Sequence, residues 1–101
     1  MSSLQSVKDL LIEEIRDLYS AEKQLTKAIP KMAKGSNDAS LKATLTAHLK
    51  ETHGQVVRLE KAASLLGIKP TGKKCVGMEG CIKEGAEALR KRETRRFSTL
   101  D

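Results

Sequence analysis

LQSVKDLLIEEIRDLYSAEKQLTKAIPKM, residues Leu4 to Met32, decides the fold class. Leu4, Val7, Leu11, Ile15, Leu18, Leu25, Ile29 and Met32 recur three or four positions apart and trace one apolar stripe along a long amphipathic helix. Carrying the alternation through the gap after Leu18 leads to position 22, which is Glu22. A carboxylate thus stands where the pattern asks for Leu or Ile. An ionised, unpaired Glu in an apolar core is strongly disfavoured, so such a residue needs a cation, a hydrogen-bond donor or a raised pKa. The plain alternative is a helix tilted enough at Glu22 for the head group to reach water.

Working outward, Ser2 or Ser3 can cap this first helix, and Ser2 followed by Gln5 fits a capping box. The helix is predicted over 3–34, with Gly35 as its stop and Pro30 kinking the last turn or ending the regular helix early. The short turn Gly35-Ser36-Asn37-Asp38 predicts an antiparallel neighbour. A second helix is predicted over 38–66. Its stripe is Leu41, Leu45, Leu49, Val56, Leu59, Ala63 and Leu66, and His48, Thr52 and Gln55 fill the same face. Both helices are apolar at their ends and polar midway, so a hairpin would lay the two polar centres side by side.

Gly67 ends the second helix, and Ile68 to Lys74 form a loop around Pro70 and Gly72. A third helix is predicted over 74–91 from Val76, Met78, Ile82, Ala86 and Leu89, with Cys75 and Glu79 on or beside that face. Gly77, Gly80 and Gly85 lower its intrinsic propensity but allow close packing. After Leu89 the apolar repeat stops. The stretch RKRETRRFSTLD, residues 90–101, reads as a basic, frayed or disordered tail. The expected architecture is all-α: an incomplete antiparallel bundle of about three helices in a domain spanning 1–89.

Composition agrees. Tyr19 and Phe97 are the only aromatic residues among 101, and Pro occurs twice. No apolar run approaches a membrane span, and the N-terminus lacks the basic and apolar regions of a signal peptide, so a cytoplasmic protein is expected. The net charge is +6, concentrated in Lys69, Lys73 and Lys74 and in Arg90, Lys91, Arg92, Arg95 and Arg96. No aromatic side chains interleave with these charges to stack bases, which argues against nucleic acid as the partner. Cys75 and Cys81 would point about 240° apart on one helix, too far round for a local disulfide. They also lack CxxC spacing, so two free thiols are expected.

Helical bundles hold iron or manganese with inward-facing carboxylates and imidazoles. One Glu comes from each of two helices and a Glu-x-x-His from each of the other two. The candidate metal ligands here are Glu22 on the first helix, Glu79 on the third, and His48 and Glu51 on the second. His53 falls about 100° from the centre of the stripe, which suits an exposed or subunit-contact position. Position 50, where a Glu-x-x-His ending at His53 needs its Glu, is Lys50. For His48 alone, a hydrogen-bonded interface histidine is the commoner explanation. No nucleophile, base and acid occur together in a recognisable setting, so enzymatic activity is not expected.

Three of these stretches, DLYSAEKQL (Asp17–Leu25), AHLKETHGQVVRLE (Ala47–Glu60) and KKCVGMEGCIKEG (Lys73–Gly85), resemble the YciE/YciF family of bacterial ferritin-like proteins. The resemblance runs from Leu4 to about Leu89. It implies a ferritin-like bundle, homodimers, an association with stress responses and a di-metal site of iron or manganese. By the same resemblance, Glu22 and Glu79 match the first- and third-helix Glu positions, and His48, Glu51 and His53 fall in the second-helix motif. The family continues into a fourth helix with a Glu-His-Tyr-Glu segment and a final helix, which RKRETRRFSTLD does not resemble. A C-terminally truncated member is therefore expected, with half of the second ligand set missing and an apolar face left uncovered. The resulting expectation is a stress-associated ferritin-like protein with a partial or vestigial di-metal site. The alternatives are a helical association module without metal chemistry and, third, nucleic-acid binding through the basic tail.

Overall fold

The structure, a computed structural model, describes residues 3–98, with side chains from Val7 to Lys91. Three helices make up the fold: α1 (Ser3–Gly35), α2 (Ala39–Leu65) and α3 (Val76–Ser98). No strand occurs among the described residues. The capping box expected at Ser2 lies outside them.

The long amphipathic stretch forms α1 without interruption, and Pro30 does not end it early. Pro30 gives up the bond its N–H would have made one turn back and crowds the carbonyl there, yet the helix runs on to Gly35. Gly35 is the last helical residue rather than a left-handed stop. The reversal is made by Ser36, Asn37 and Asp38. Ser36 is buried, and its Oγ accepts the N–H of Asp38 at 3.2 Å. Asp38 then caps α2, its carboxylate accepting the N–H of Leu41 at 3.1 Å. The other end of α2 closes as the sequence predicts. Gly67 takes φ +70°, its N–H donates to Ser64 O, and the N–H of Ile68 donates back to Ala63 O at 3.0 Å, a Schellman motif.

α1 and α2 form an antiparallel hairpin. Its core is Ile15, Tyr19 and Ile29 from α1 against Thr52, Val56 and Ala63 from α2. α3 packs on α1 alone and, among the described residues, does not touch α2. Its start is gripped by α1: the Cys75 N–H donates to Ser20 Oγ at 2.8 Å, and Gln24 Nε2 donates to Cys75 O at 3.0 Å. The Cys75 sulfur in turn accepts the N–H of Met78, in the manner of an N-cap. Further along, Met32 faces Gly85, where an added Cβ would lie 3.3 Å from the Met32 methyl. α3 therefore runs parallel to the second half of α1, and the glycine expected to allow close packing does so at Gly85.

The bounds of α3 depart from expectation. α3 starts at Val76 rather than 74, and it continues to Ser98 rather than stopping at 91. The stretch 90–98, expected to be frayed, is helical: Arg, Lys and Glu are good helix formers and need no apolar stripe to extend a helix already begun. Residues 99–101 of the expected tail lie outside the described residues. The molecule is also extended, 66 × 23 × 17 Å, with a radius of gyration of 17.7 Å. A compact chain of this length would have a radius of gyration of about 13 Å. The excess is helix length: α1 alone spans roughly 50 Å, and α3 overshoots its end.

Candidate functional site

The polar centre predicted midway along the hairpin is present. Glu22 is half-buried in α1, and Gln55 stands opposite it on α2. With its nitrogen turned toward the carboxylate, the Gln55 amide donates to both Glu22 oxygens, at 3.2 and 2.9 Å. The opposite orientation would set oxygen against oxygen, so the surroundings decide the assignment. One turn away, the Tyr19 hydroxyl donates to Glu60 Oε2 at 3.1 Å. These two contacts fix the register of the hairpin.

That register also shows what Glu22 does not meet. His48 lies seven residues before Gln55, on the same side of α2 but about 10 Å further toward the turn. It is exposed, because no third element covers that side. Glu51 is exposed on the edge of the helix, and His53 is exposed as its angle predicts. Glu79 is exposed in the first turn of α3 and forms an ion pair with Lys74. Periodicity correctly placed His48 beside Gln55 but could not show that this face is open. Among the described residues, no three His, Cys, Asp or Glu side chains come together as a metal site.

A di-metal carboxylate site asks for Glu-x-x-His level with the first-helix Glu. The residues at that height and spacing are Thr52 and Gln55. Thr52 is fully buried, with its hydroxyl donating to His48 O at 2.9 Å. Neither residue is a carboxylate or an imidazole. Within one chain, these donors do not fit an iron or manganese pair.

Glu22 and Gln55 border a groove of about 260 Å³ together with Leu18, Arg58 and Leu59. A larger groove, about 380 Å³, runs between α1 and α3, where Met32, Ile82, Ala86 and Leu89 give it an apolar lining. The sequence matches the family described as "Domain of unknown function (DUF892)" over residues 6–97. The chain belongs to this family. In line with it, the chain is 39% identical over 92 residues to Protein YciF of Escherichia coli (strain K12), covering 90% of this chain and 55% of that one. The crystal structure of the E. coli stress protein YciF superposes with a TM-score of 0.76 at 40% identity, covering 82% of this chain and 53% of the other. YcfI, a candidate structural protein from Rhodopseudomonas palustris, superposes with a TM-score of 0.74 at 44% identity over 80% and 52%. The chain thus spans about half the length of the relatives it matches.

Its helices superpose on those of both relatives. Two parts of the centre were not evident from pattern alone. Arg58 sits off the apolar stripe and reads as a solvated charge. The Tyr19–Glu60 contact joins a stripe neighbour to an exposed acid forty-one positions away. The one available signal was Tyr19 itself, a lone aromatic hydroxyl on a helix whose other large side chains are aliphatic.

Burial, and secondarily the bond to Glu60 and its negative charge, push the Tyr19 hydroxyl above its ordinary pKa of 10.0. The protonated form is the one the fold favours. This contribution is complete below pH 10 and is lost as the pH rises through the folded-state value. Tyr19→Phe is expected to lower stability at neutral pH by about 1 kcal/mol, one hydrogen bond. It should also flatten the decline of stability above pH 10. Urea melts between pH 8 and pH 11.5 check both, and parallel alkaline slopes in the two proteins would refute the second.

Proposed function

We propose that this chain is a helical structural unit of the ferritin-like, stress-protein type, whose polar centre fixes helix register and needs no metal. The observation that carries this reading is the Gln55 amide donating to both oxygens of Glu22. A half-buried carboxylate must be neutralised or hydrogen-bonded, and an amide is the minimal way to do it while leaving a unique pairing of the helices. The likeness to the E. coli stress protein YciF supports a stress-associated role. The free thiols of Cys75 and Cys81 suit a reducing, cytoplasmic setting. No helix among the described residues is long and apolar enough to cross a membrane.

The di-metal reading keeps one observation in its favour: Glu22 lies in the middle of an otherwise aliphatic stripe, where a ligand would be placed. Metal content separates the two. After loading with iron(II) or manganese(II) and desalting, the purified chain is expected to carry less than one ion per subunit by elemental analysis. Stoichiometric metal that disappears in Glu22→Ala would overturn the structural reading.

A further inference from the structure

On the side of α1 away from Glu22, the loop between α2 and α3 closes over a second polar cavity. Between Glu22 and Asp38 the chain carries Lys23, Lys27, Lys31 and Lys34 and no carboxylate. Lys23 and Lys27 stand one turn apart on α1, a like-charge pairing that a helix disfavours. Both are exposed, and neither forms an ion pair among the described residues. They line a cavity of about 280 Å³ together with Thr71, Gly72 and Lys73 of the loop. The loop is pinned at both ends by α1. Arg16 Nε donates to Lys69 O at 3.1 Å, and Ser20 and Gln24 hold the backbone of Cys75. Gly72 takes φ +107°, a conformation that side chains rarely allow. The Thr71 hydroxyl and the Gly72 N–H meet no partner among the described residues. Lys73 donates to Glu13 at 3.3 Å in an exposed pair of the kind that contributes little and exchanges easily.

We propose that this cavity binds a small phosphate-bearing anion, its oxygens shared between Lys23 and Lys27 on α1 and Thr71 and Gly72 in the loop. Charge selects the ligand class. Two lysines without acid partners match a phosphate dianion, and lysine binds phosphate as a point charge. The donor set agrees, because ammonium, hydroxyl and backbone N–H groups contributed by two separate elements suit a tetrahedral group with oxygens on every side. Size agrees as well. The cavity lies near the lower end of the roughly 300–1,000 Å³ of small-molecule sites, which suits a phosphate carrying a small organic group. Single-stranded nucleic acid is the weaker match. Tyr19, the aromatic residue beside the cavity, is buried and its hydroxyl donates to Glu60, so it offers no open ring face for a base. Lys27 lies about 140° round α1 from Glu22, so the proposal goes beyond the structural reading and stands whatever Glu22 binds.

Nuclear magnetic resonance of the isotope-labelled full chain tests this. Inorganic phosphate and glycerol phosphate are titrated separately at constant ionic strength, with EDTA present so that no metal bridges the anion. The Thr71 and Gly72 amide signals are expected to shift and saturate at one anion per chain, with a Kd on the order of a millimolar or below. Lys23→Ala and Lys27→Ala should each weaken binding by about tenfold. Lys31→Ala removes the same charge from the next turn of the helix but lies outside the cavity, so it should change the Kd by less than about twofold. Glu13→Gln releases Lys73 and removes a nearby negative charge, so it should tighten binding, a gain that misfolding cannot mimic. All four side chains are exposed, and helicity by circular dichroism should not change. Shifts that climb without saturating overturn the proposal. So do equal losses in Lys27→Ala and Lys31→Ala, weaker binding in Glu13→Gln, and acetate competing as well as phosphate. A short single-stranded DNA that moves the Thr71 and Gly72 signals when neither phosphate does also overturns it, and assigns the face to a polyanion.

Discussion

Replacing Ile29 with alanine is expected to destabilise the fold by about 2–5 kcal/mol, the largest effect of any single truncation in this chain. Ile29 is 2% exposed and is the largest buried aliphatic side chain of the hairpin. Pro30 follows it, so the helix there already lacks one backbone hydrogen bond, and the next buried group is Ser36 in the turn. Alanine would leave a cavity that two long, straight helices can close only by shifting along their whole length. Thermal melting followed by circular dichroism should show a fall of many degrees, at roughly 4–8 °C per kcal/mol for a domain of this size. Leu65→Ala is the control. That side chain is 83% exposed, and its loss should lie within about 0.5 kcal/mol of zero. A melting temperature unchanged in Ile29→Ala would mean that the helices do not pack as described.

The second large effect is the opposite error of volume. Ala63 has no exposed surface, and the register set by Tyr19 and Glu60 places it level with Ile15, itself buried. A methyl is what this separation of the helices admits. Ala63→Leu should therefore cost about 1–3 kcal/mol through forced rotamers and displaced backbone. The damage should reach the helix end, because Ala63 O accepts the N–H groups of Leu66 and Ile68 that close α2. Hydrogen exchange at Ile68 is the direct readout. Faster exchange there, together with a lower melting temperature, is expected, and a stable protein with a protected Ile68 amide would show slack in the packing. Ala63→Gly separates the two contributions. It adds no volume, so it should loosen α2 by about the ordinary glycine penalty of 1 kcal/mol without straining the contact with α1.

Much of this structure is legible in the order of residues. The three-four spacing of Leu11, Ile15, Leu18, Leu25 and Ile29 specifies a helix because those positions share one side of a 3.6-residue turn. Gly67 marks the end of α2, since glycine takes the left-handed conformation that a Schellman closure needs at no steric cost. That the two polar centres lie along one hairpin was also readable, because a short turn makes the neighbours antiparallel and each helix carries its polar residues midway. The extent of α3 was not readable. Its last turns carry no apolar period, and helix propensity alone does not reveal where a helix stops.

Spacing alone therefore determined the helices, the hairpin and a carboxylate lodged among aliphatic side chains. Tertiary structure decided what that carboxylate meets. His48 and Gln55 lie on the same side of α2, seven residues apart, and periodicity cannot tell which of them stands level with Glu22. Register can, because axial position depends on how the packed helices slide against each other, and Tyr19, Ile29 and Ala63 fix that slide through contacts between residues far apart in the chain. The outcome places the Gln55 amide, rather than the His48 imidazole, opposite Glu22.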